Sequence, residues 1–166
     1  VRPDLLRAMP SLKKKFVKYE QYAGKTIEEV LDPADLSKAV KKEVYTAESA
    51  ILRNDQKGAA FTFLPLPTEA QLSPIYSIIP TDYNHDGKVD LIVAGNFYDV
   101  LPEIGRYDAM KGLLLQNVNG NFVVRIPSET GFWAEDQVRV MRQLRQGQLI
   151  IGKNNDKVQV YKPVKQ

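Results

Sequence analysis

The residues with most to offer chemically lie in one nine-residue stretch, Asp82-Tyr-Asn84-His85-Asp86-Gly87-Lys88-Val-Asp90. Side-chain oxygens fall at its positions 1, 3, 5 and 9, and glycine stands at position 6. A hard cation such as Ca²⁺ takes about six to eight oxygen ligands, and a short loop supplies them by turning alternate side chains inward. Asp82, Asn84, Asp86 and Asp90 are the expected side-chain ligands, with the backbone carbonyl of Lys88 joining them and its ammonium pointing away. Gly87 supplies the backbone freedom for the sharp turn. The same residue types also form hairpin turns without any metal. A bare turn, however, has no need of three carboxylates that repel one another, so Ca²⁺ is the expected cofactor.

The elements around this stretch decide what kind of loop it is. An EF-hand loop closes with a bidentate Glu at position 12 and runs into a helix. Here position 12 is Val93, inside Leu91-Ile92-Val93, a short apolar run stopped by Gly95-Asn96 that reads as a buried strand. Ile75-Tyr-Ser-Ile-Ile79 before the loop is strand-like as well. The loop therefore joins two strands.

Other chemistry-bearing residues are less well placed. His85 is the only histidine and sits at loop position 4, where side chains point outward, so no nucleophile–His or His–metal set can be assembled around it. Asp and Glu pairs are numerous, which leaves a glycosidase-type pair open, but nothing singles one out. Catalytic residues are accordingly none. Gly105-Arg106-Tyr107-Asp108 falls in a long connection, the kind of segment that carries binding function. Arg106 and Asp108 are candidate ligand contacts, the alternative being a local ion pair that holds the loop. Phe97, Tyr98, Phe132 and Trp133 stand near loop ends, where an exposed ring could stack on a sugar or a partner.

The chain of 166 residues suits one domain or part of a larger one. Its 43% hydrophobic and 26% charged residues are ordinary for a globular protein. No apolar run is long enough to span a membrane, so no membrane insertion is expected of this segment. The first residue is Val rather than Met, which reads as a segment of a longer polypeptide. Cysteine is absent, which rules out disulfide and thiol chemistry. Residues 1–45 hold 10 Lys and Arg against 7 Asp and Glu, while residues 46–166 hold 13 of each. So small a basic excess, confined to one end, does not point to nucleic acid.

Residues 1–42 read as helical. Ser11 is placed as an N-cap, and Leu12, Phe16, Tyr19 and Ala23 recur on one helical face. Lys13, Lys14, Lys15 and Lys18 fall on the solvated remainder. Thr26 and Glu29 have capping-box spacing, and Asp32-Pro33 opens a further helix carrying Leu36 and Val40. From about residue 43 strands take over, expected at 44–53, 60–65, 75–80, 91–95, 112–116, 122–126, 137–144, 148–152 and 157–161.

A weak internal repeat links Leu52-Arg-Asn54-Asp-Gln-Lys-Gly58 with Leu115-Gln-Asn117-Val-Asn-Gly120, 63 residues apart. About four strands per such unit signals a propeller blade. The expected fold is thus mainly β: a segment of about two propeller blades, each an antiparallel four-stranded sheet, with an N-terminal helical insertion over residues 1–42. Residues 43–166 form the blades, of which about 75–126 is complete. Residues 43–67 supply the last two strands of a preceding blade, and residues 137–162 the first three of the next. Open strand edges in such a segment invite self-association.

Arg2-Pro-Asp-Leu-Leu, Met9-Pro-Ser-Leu-Lys-Lys-Lys-Phe16, Leu64-Pro-Leu-Pro-Thr-Glu-Ala-Gln71, Asp82–Asn96 and Gly105-Arg-Tyr-Asp108 resemble bacterial FG-GAP/VCBS-repeat proteins. These have integrin-α-type propellers and often carry an ASPIC/UnbV domain. The resemblance spans nearly the whole chain and matches the C-terminal part of such a protein. It implies the propeller, the calcium loop on Asp82, Asn84, Asp86, the Lys88 carbonyl and Asp90, and an extracellular, cell-surface or periplasmic location. Two departures stand out. The repeat near Gln137 has Leu144-Arg-Gln-Gly-Gln148 where a loop would fall, and the Phe-Gly and Gly-Ala-Pro signatures of integrin blades are missing. The expected function is a non-enzymatic, calcium-stabilised binding or scaffold module recognising protein or glycan through its loops. The alternative is part of an exported polysaccharide-acting hydrolase or lyase.

Overall fold

The structure, a computed structural model, describes residues 2–162, so the last four residues of the expected blade region lie outside the described residues. The chain divides between Tyr45 and Thr46 into two compact units.

The first unit is built from α1 (Arg2–Ala8), α2 (Leu12–Lys15), a 3-10 turn at Tyr19–Gln21, α3 (Ile27–Val30) and α4 (Pro33–Leu36). Helices this short are unstable alone, so they share a small core of Leu6, Leu12, Phe16 and Val30. The helix expected through residues 12–23 stops at Phe16. Its cause is tertiary: the Arg2 guanidinium donates to the Phe16 and Val17 carbonyls at 2.6 and 3.1 Å, oxygens a continuing helix would have used itself. Arg2 also lies 4.4 Å over the Tyr19 ring, which stays largely exposed instead of joining the core. Ser11 does not cap α2, since its own backbone is already helical and its side chain makes no capping bond. The Thr26 N–H does bond the Glu29 carboxylate at 2.9 Å, and Pro33 does open α4. Val40 lies past α4 and is exposed, so the expected helix is shorter than its apolar spacing implied.

The second unit is mainly β. Its strands are β1 (Ala50–Asn54), β2 (Phe61–Pro65), β3 (Ile75–Thr81), β4 (Asp90–Gly95), β5 (Leu113–Val118), β6 (Asn121–Arg125), β7 (Val138–Gln143), β8 (Leu149–Lys153) and β9 (Gln159–Tyr161). A single helical turn, α5 (Pro127–Thr130), precedes β7. The strands form three antiparallel sheets in chain order: β1-β2, β3-β4-β5-β6 and β7-β8-β9. Each expected strand is present with shifted ends. The largest shift is at β1, expected from residue 44. Residues 44–48 have no strand beside them, because β2 pairs only with Ala50–Asn54, and Ser49 is held instead by the Leu66 N–H and the Gln71 side-chain amide.

Alternation along the middle sheet positions the core. Leu91 and Val93 of β4, Leu113 and Leu115 of β5, and Phe122 and Val124 of β6 point to one face, where Ile51 of β1 and Leu66 meet them. Ile79 of β3 and Ile92 and Ala94 of β4 point to the other, against Val138, Met141, Leu149 and Ile151 of the third sheet. β4 can be apolar on both sides because both faces of the middle sheet are covered. β7 runs beside β3, and the Met141 N–H donates to Ser77 Oγ at 2.7 Å between the two sheets.

Candidate functional site

The loop between β3 and β4 winds around its own carboxylates. Asp82 accepts the Asp86 N–H at 3.1 Å on one oxygen and the Gly87 N–H at 3.0 Å on the other. Asn84 Oδ1 approaches the same Asp86 N–H at 3.3 Å, so the oxygens of Asp82 and Asn84 converge on one point. Asp86 in turn accepts the Lys88 N–H at 2.8 Å and the Asn84 amide at 3.1 Å. Gly87 has φ +80°, and an added Cβ there would touch nothing within 4 Å, so its role is the left-handed backbone itself. His85 takes φ +58° and faces solvent. The Lys88 ammonium lies 3.9 Å from Asp86 and 3.3 Å from Asn119 Oδ1 in the β5–β6 turn.

Asp90 behaves differently from the other carboxylates. It is fully buried at the start of β4, with one oxygen accepting the Tyr83 N–H at 3.0 Å and the other the Asn117 N–H at 2.7 Å. Asn117 returns its amide to the Val89 carbonyl at 3.3 Å and accepts the Gly120 N–H at 2.8 Å. Asp90 thereby ties the loop to the β5–β6 hairpin. Among the described residues, no three His, Cys, Asp or Glu side chains stand close enough together to share one cation. The oxygens that do converge are those of Asp82 and Asn84, with Asp86 beside them and Asp90 set behind. Hard oxygen donors fit Ca²⁺ by type, and each carboxylate oxygen that accepts one N–H keeps a second lone pair.

Because Asp90 is buried and doubly bonded, Asp90→Asn is expected to destabilise the second unit by about 2–3 kcal/mol, since the amide turns a donor toward a backbone N–H. Urea unfolding in chelator measures this. The loss should appear without added metal, as a lower midpoint at unchanged slope.

The exposed turn carboxylates set a pH response. Asp86 is held below the usual carboxylate range by the Lys88 N–H first and the Asn84 amide second. Asp55 in the β1–β2 turn is lowered by the Thr62 hydroxyl and then Arg53, whose Nε lies 2.6 Å away. A carboxyl whose folded pKa is depressed contributes stability above its unfolded-state value, and that contribution fades as pH falls through the folded one. Urea midpoints should therefore decline between the ordinary carboxylate range and the lowered values, and Asp55→Asn should flatten part of that decline.

A second group of residues gathers on the connection from β4 to β5. Asn96, 1% exposed, has φ +91° and joins four segments. Its Oδ1 accepts the Ser73 hydroxyl at 2.8 Å and the Met110 N–H at 3.1 Å, while its Nδ2 donates to the Met110 and Asp136 carbonyls at 2.8 and 2.9 Å. Beyond it, Phe97 and Tyr107 pair as an isolated bridge that closes the loop. Arg106 stacks 4.9 Å over the Tyr98 ring and makes no ion pair with Asp108 among the described residues. Burial, then the charges of Asp136 and Asp108, push the Tyr98 phenol upward. Arg139 of β7 lies 4.1 Å over Tyr76 and 5.8 Å from the Phe97 ring, with Asp99 at 3.6 Å.

Of the flagged aromatics, Phe132 is core and Trp133 is half-exposed, its backbone N–H donating to the Tyr161 hydroxyl at 2.8 Å. The turn at Leu144–Gln148 is closed by the Leu144 N–H on the Gln148 carbonyl at 2.8 Å, and within it the Gln148 amide donates to Gln146 Oε1 at 3.2 Å. Tyr76, Asn96 and Arg139 were not singled out from sequence. Asn96 carried one signal, its place directly after the strand-stopping Gly95, while Arg139 and Tyr76 meet only because β7 packs beside β3.

Compared with protein-family models, curated proteins and solved structures, the chain matches none.

Proposed function

We propose that the chain is a non-enzymatic binding or scaffold module of an exported or cell-surface protein, built from propeller-type blades and stabilised by Ca²⁺ at the Asp82–Asp90 loop. The observation that carries this reading is the middle sheet: a four-stranded meander in chain order, covered on one face by the three-stranded sheet and on the other by Ile51 of β1 with Leu66 and Ala70, with the acidic loop joining its first two strands. Face-to-face sheets with their first strands side by side, as β3 and β7 are, suit consecutive blades. Asp82, Asn84, Asp86 and the Lys88 carbonyl would hold the ion at the loop, with Asp90 behind them. Bound there, Ca²⁺ supplies charge neutralisation and a fixed strand-to-strand turn.

Loops of extracellular modules bind Ca²⁺ with dissociation constants of about 10⁻⁴–10⁻³ M, which suits millimolar calcium outside cells and not the cytosol. Calorimetric titration should accordingly show one Ca²⁺ site in this range, weakened at least about tenfold by Asp82→Ala. The absence of a titratable site would remove calcium from the reading. Recognition of a protein or glycan falls to the β4–β5 connection, where Arg106 on Tyr98 and the exposed Asp108 present a polar and aromatic surface. Glycan turnover that disappeared on replacing a carboxylate outside the loop would overturn the non-enzymatic part.

A further inference from the structure

We propose that the Lys41-Lys42 pair is a processing site for a protease selective for basic residues, whose cut leaves the Thr46–Gln166 unit folded and free of the helices. Neither calcium nor the propeller reading enters it. Residues 39–49 run without helix, strand, turn or bend, and every residue from Ser37 to Glu48 is exposed. Even the apolar ones lie in water: Val40, Val44 and Tyr45 are 83%, 84% and 90% exposed. Side-chain bonds in the stretch reach only two residues along the chain. Lys41 pairs with Glu43 at 2.5 Å, the Tyr45 hydroxyl donates to Glu43 at 3.2 Å, and Thr46 and Glu48 bond each other. Exposed pairs of this kind contribute little. Among the described residues, no backbone N–H from Val40 to Ala47 donates to a protein group.

A protease takes its substrate outstretched, bonded through the main chain as an added strand is at a sheet edge. It therefore needs consecutive residues whose own N–H and C=O groups are uncommitted, which this stretch supplies on both sides of the pair. Lys57, Lys88 and Arg145, by contrast, lie in turns closed by their flanking strands, and Lys13, Lys14 and Lys15 are coiled in α2. Cleavage there waits on local opening, so its rate falls with the population of the open form. At the pair, hydrolysis breaks one amide bond. The hydroxyl of water goes to the lysine carbonyl carbon and a proton to the amine of the following residue. Neither unit loses its core by this cut. Leu6, Leu12, Phe16 and Val30 all precede it, and the two clusters of the second unit take no residue from before Ile51.

Digestion of the full chain by trace trypsin, followed by intact mass spectrometry, tests this. The expected first products are residues 1–41 or 1–42 and the complementary β fragment, formed at least about tenfold faster than any other internal cut. A variant carrying both Lys41→Gln and Lys42→Gln should slow that cut by a similar factor. Its circular dichroism and Tm should match the parent's, because both side chains lie in water. The β fragment should outlast the digestion and unfold cooperatively in urea, with the Trp133 emission of the intact chain. A first cut in a hairpin turn or among the helices overturns the proposal. So does a cutting rate that the double variant leaves unchanged, or a β fragment degraded as fast as it forms.

Discussion

Replacing Gly95 with alanine is expected to destabilise the second unit by about 3–4 kcal/mol, near the upper end for a single substitution. The reason is backbone against backbone. A Cβ at Gly95 would lie 1.7 Å from the Pro74 carbonyl oxygen and 2.8 Å from its carbon. No side-chain rotation relieves such an overlap, so the start of β3 must move away from the end of β4. That movement would also break the Asn96 N–H bond to the same carbonyl, 3.1 Å long, and disturb the Ile75–Gly95 pairing beside the irregularity in β3. Urea unfolding followed by tryptophan fluorescence measures the loss. A change smaller than about 1 kcal/mol would show that the Pro74 approach is not needed.

Asn96→Ala should have an effect of similar size, about 3 kcal/mol, for a different reason. Truncation leaves the Met110 N–H, the Met110 and Asp136 carbonyls and the Ser73 hydroxyl without their Asn96 partner inside a buried site. It also places at φ +91° an alanine, which tolerates positive φ less readily than asparagine does. Ser73→Ala removes one bond of the network and is the internal comparison, with an expected loss of about 1 kcal/mol. Equal losses from the two variants would mean that the amide does not join these segments as a unit.

Most of the β architecture could be read from local signals. Alternating or continuous apolar runs bounded by Asn, Asp and Gly mark the nine strands, because a strand buried on one or both faces writes its environment into its own residues. The turn from Asp82 to Lys88 was legible for the same reason: the bonds of the Asp82, Asn84 and Asp86 side chains are made among their own neighbours. The helices of the first unit were less so. Leu12, Phe16, Tyr19 and Ala23 have helical spacing, yet Arg2, 14 residues before Phe16, takes the carbonyl that would have continued the helix. Val44 and Tyr45 are good strand formers without a strand beside them.

At the candidate site the limit was again distance along the chain. Counting ligands at positions 1, 3, 5 and 9 places Asp90 with Asp82 and Asp86. Only the fold reveals that its oxygens serve Tyr83 and, 27 residues on, Asn117. The spacing of Arg106 and Asp108, two residues apart, allows a local ion pair, whereas the planar guanidinium stacks on Tyr98 instead.

Thermal unfolding of the metal-stripped chain with added Ca²⁺ or Mg²⁺, beside Asp86→Ala, tests most directly whether calcium stabilises the module. A dissociation constant of about 10⁻⁴ M predicts that 10 mM Ca²⁺, roughly a hundredfold excess, adds about 2.7 kcal/mol and raises Tm by about 5–10 °C. Mg²⁺, which demands a tighter octahedral site, should give much less. Asp86→Ala should lose the calcium response while unfolding cooperatively. A parent chain whose Tm is unmoved by millimolar Ca²⁺, or an Asp86→Ala variant that responds as the parent does, would contradict a calcium-stabilised module.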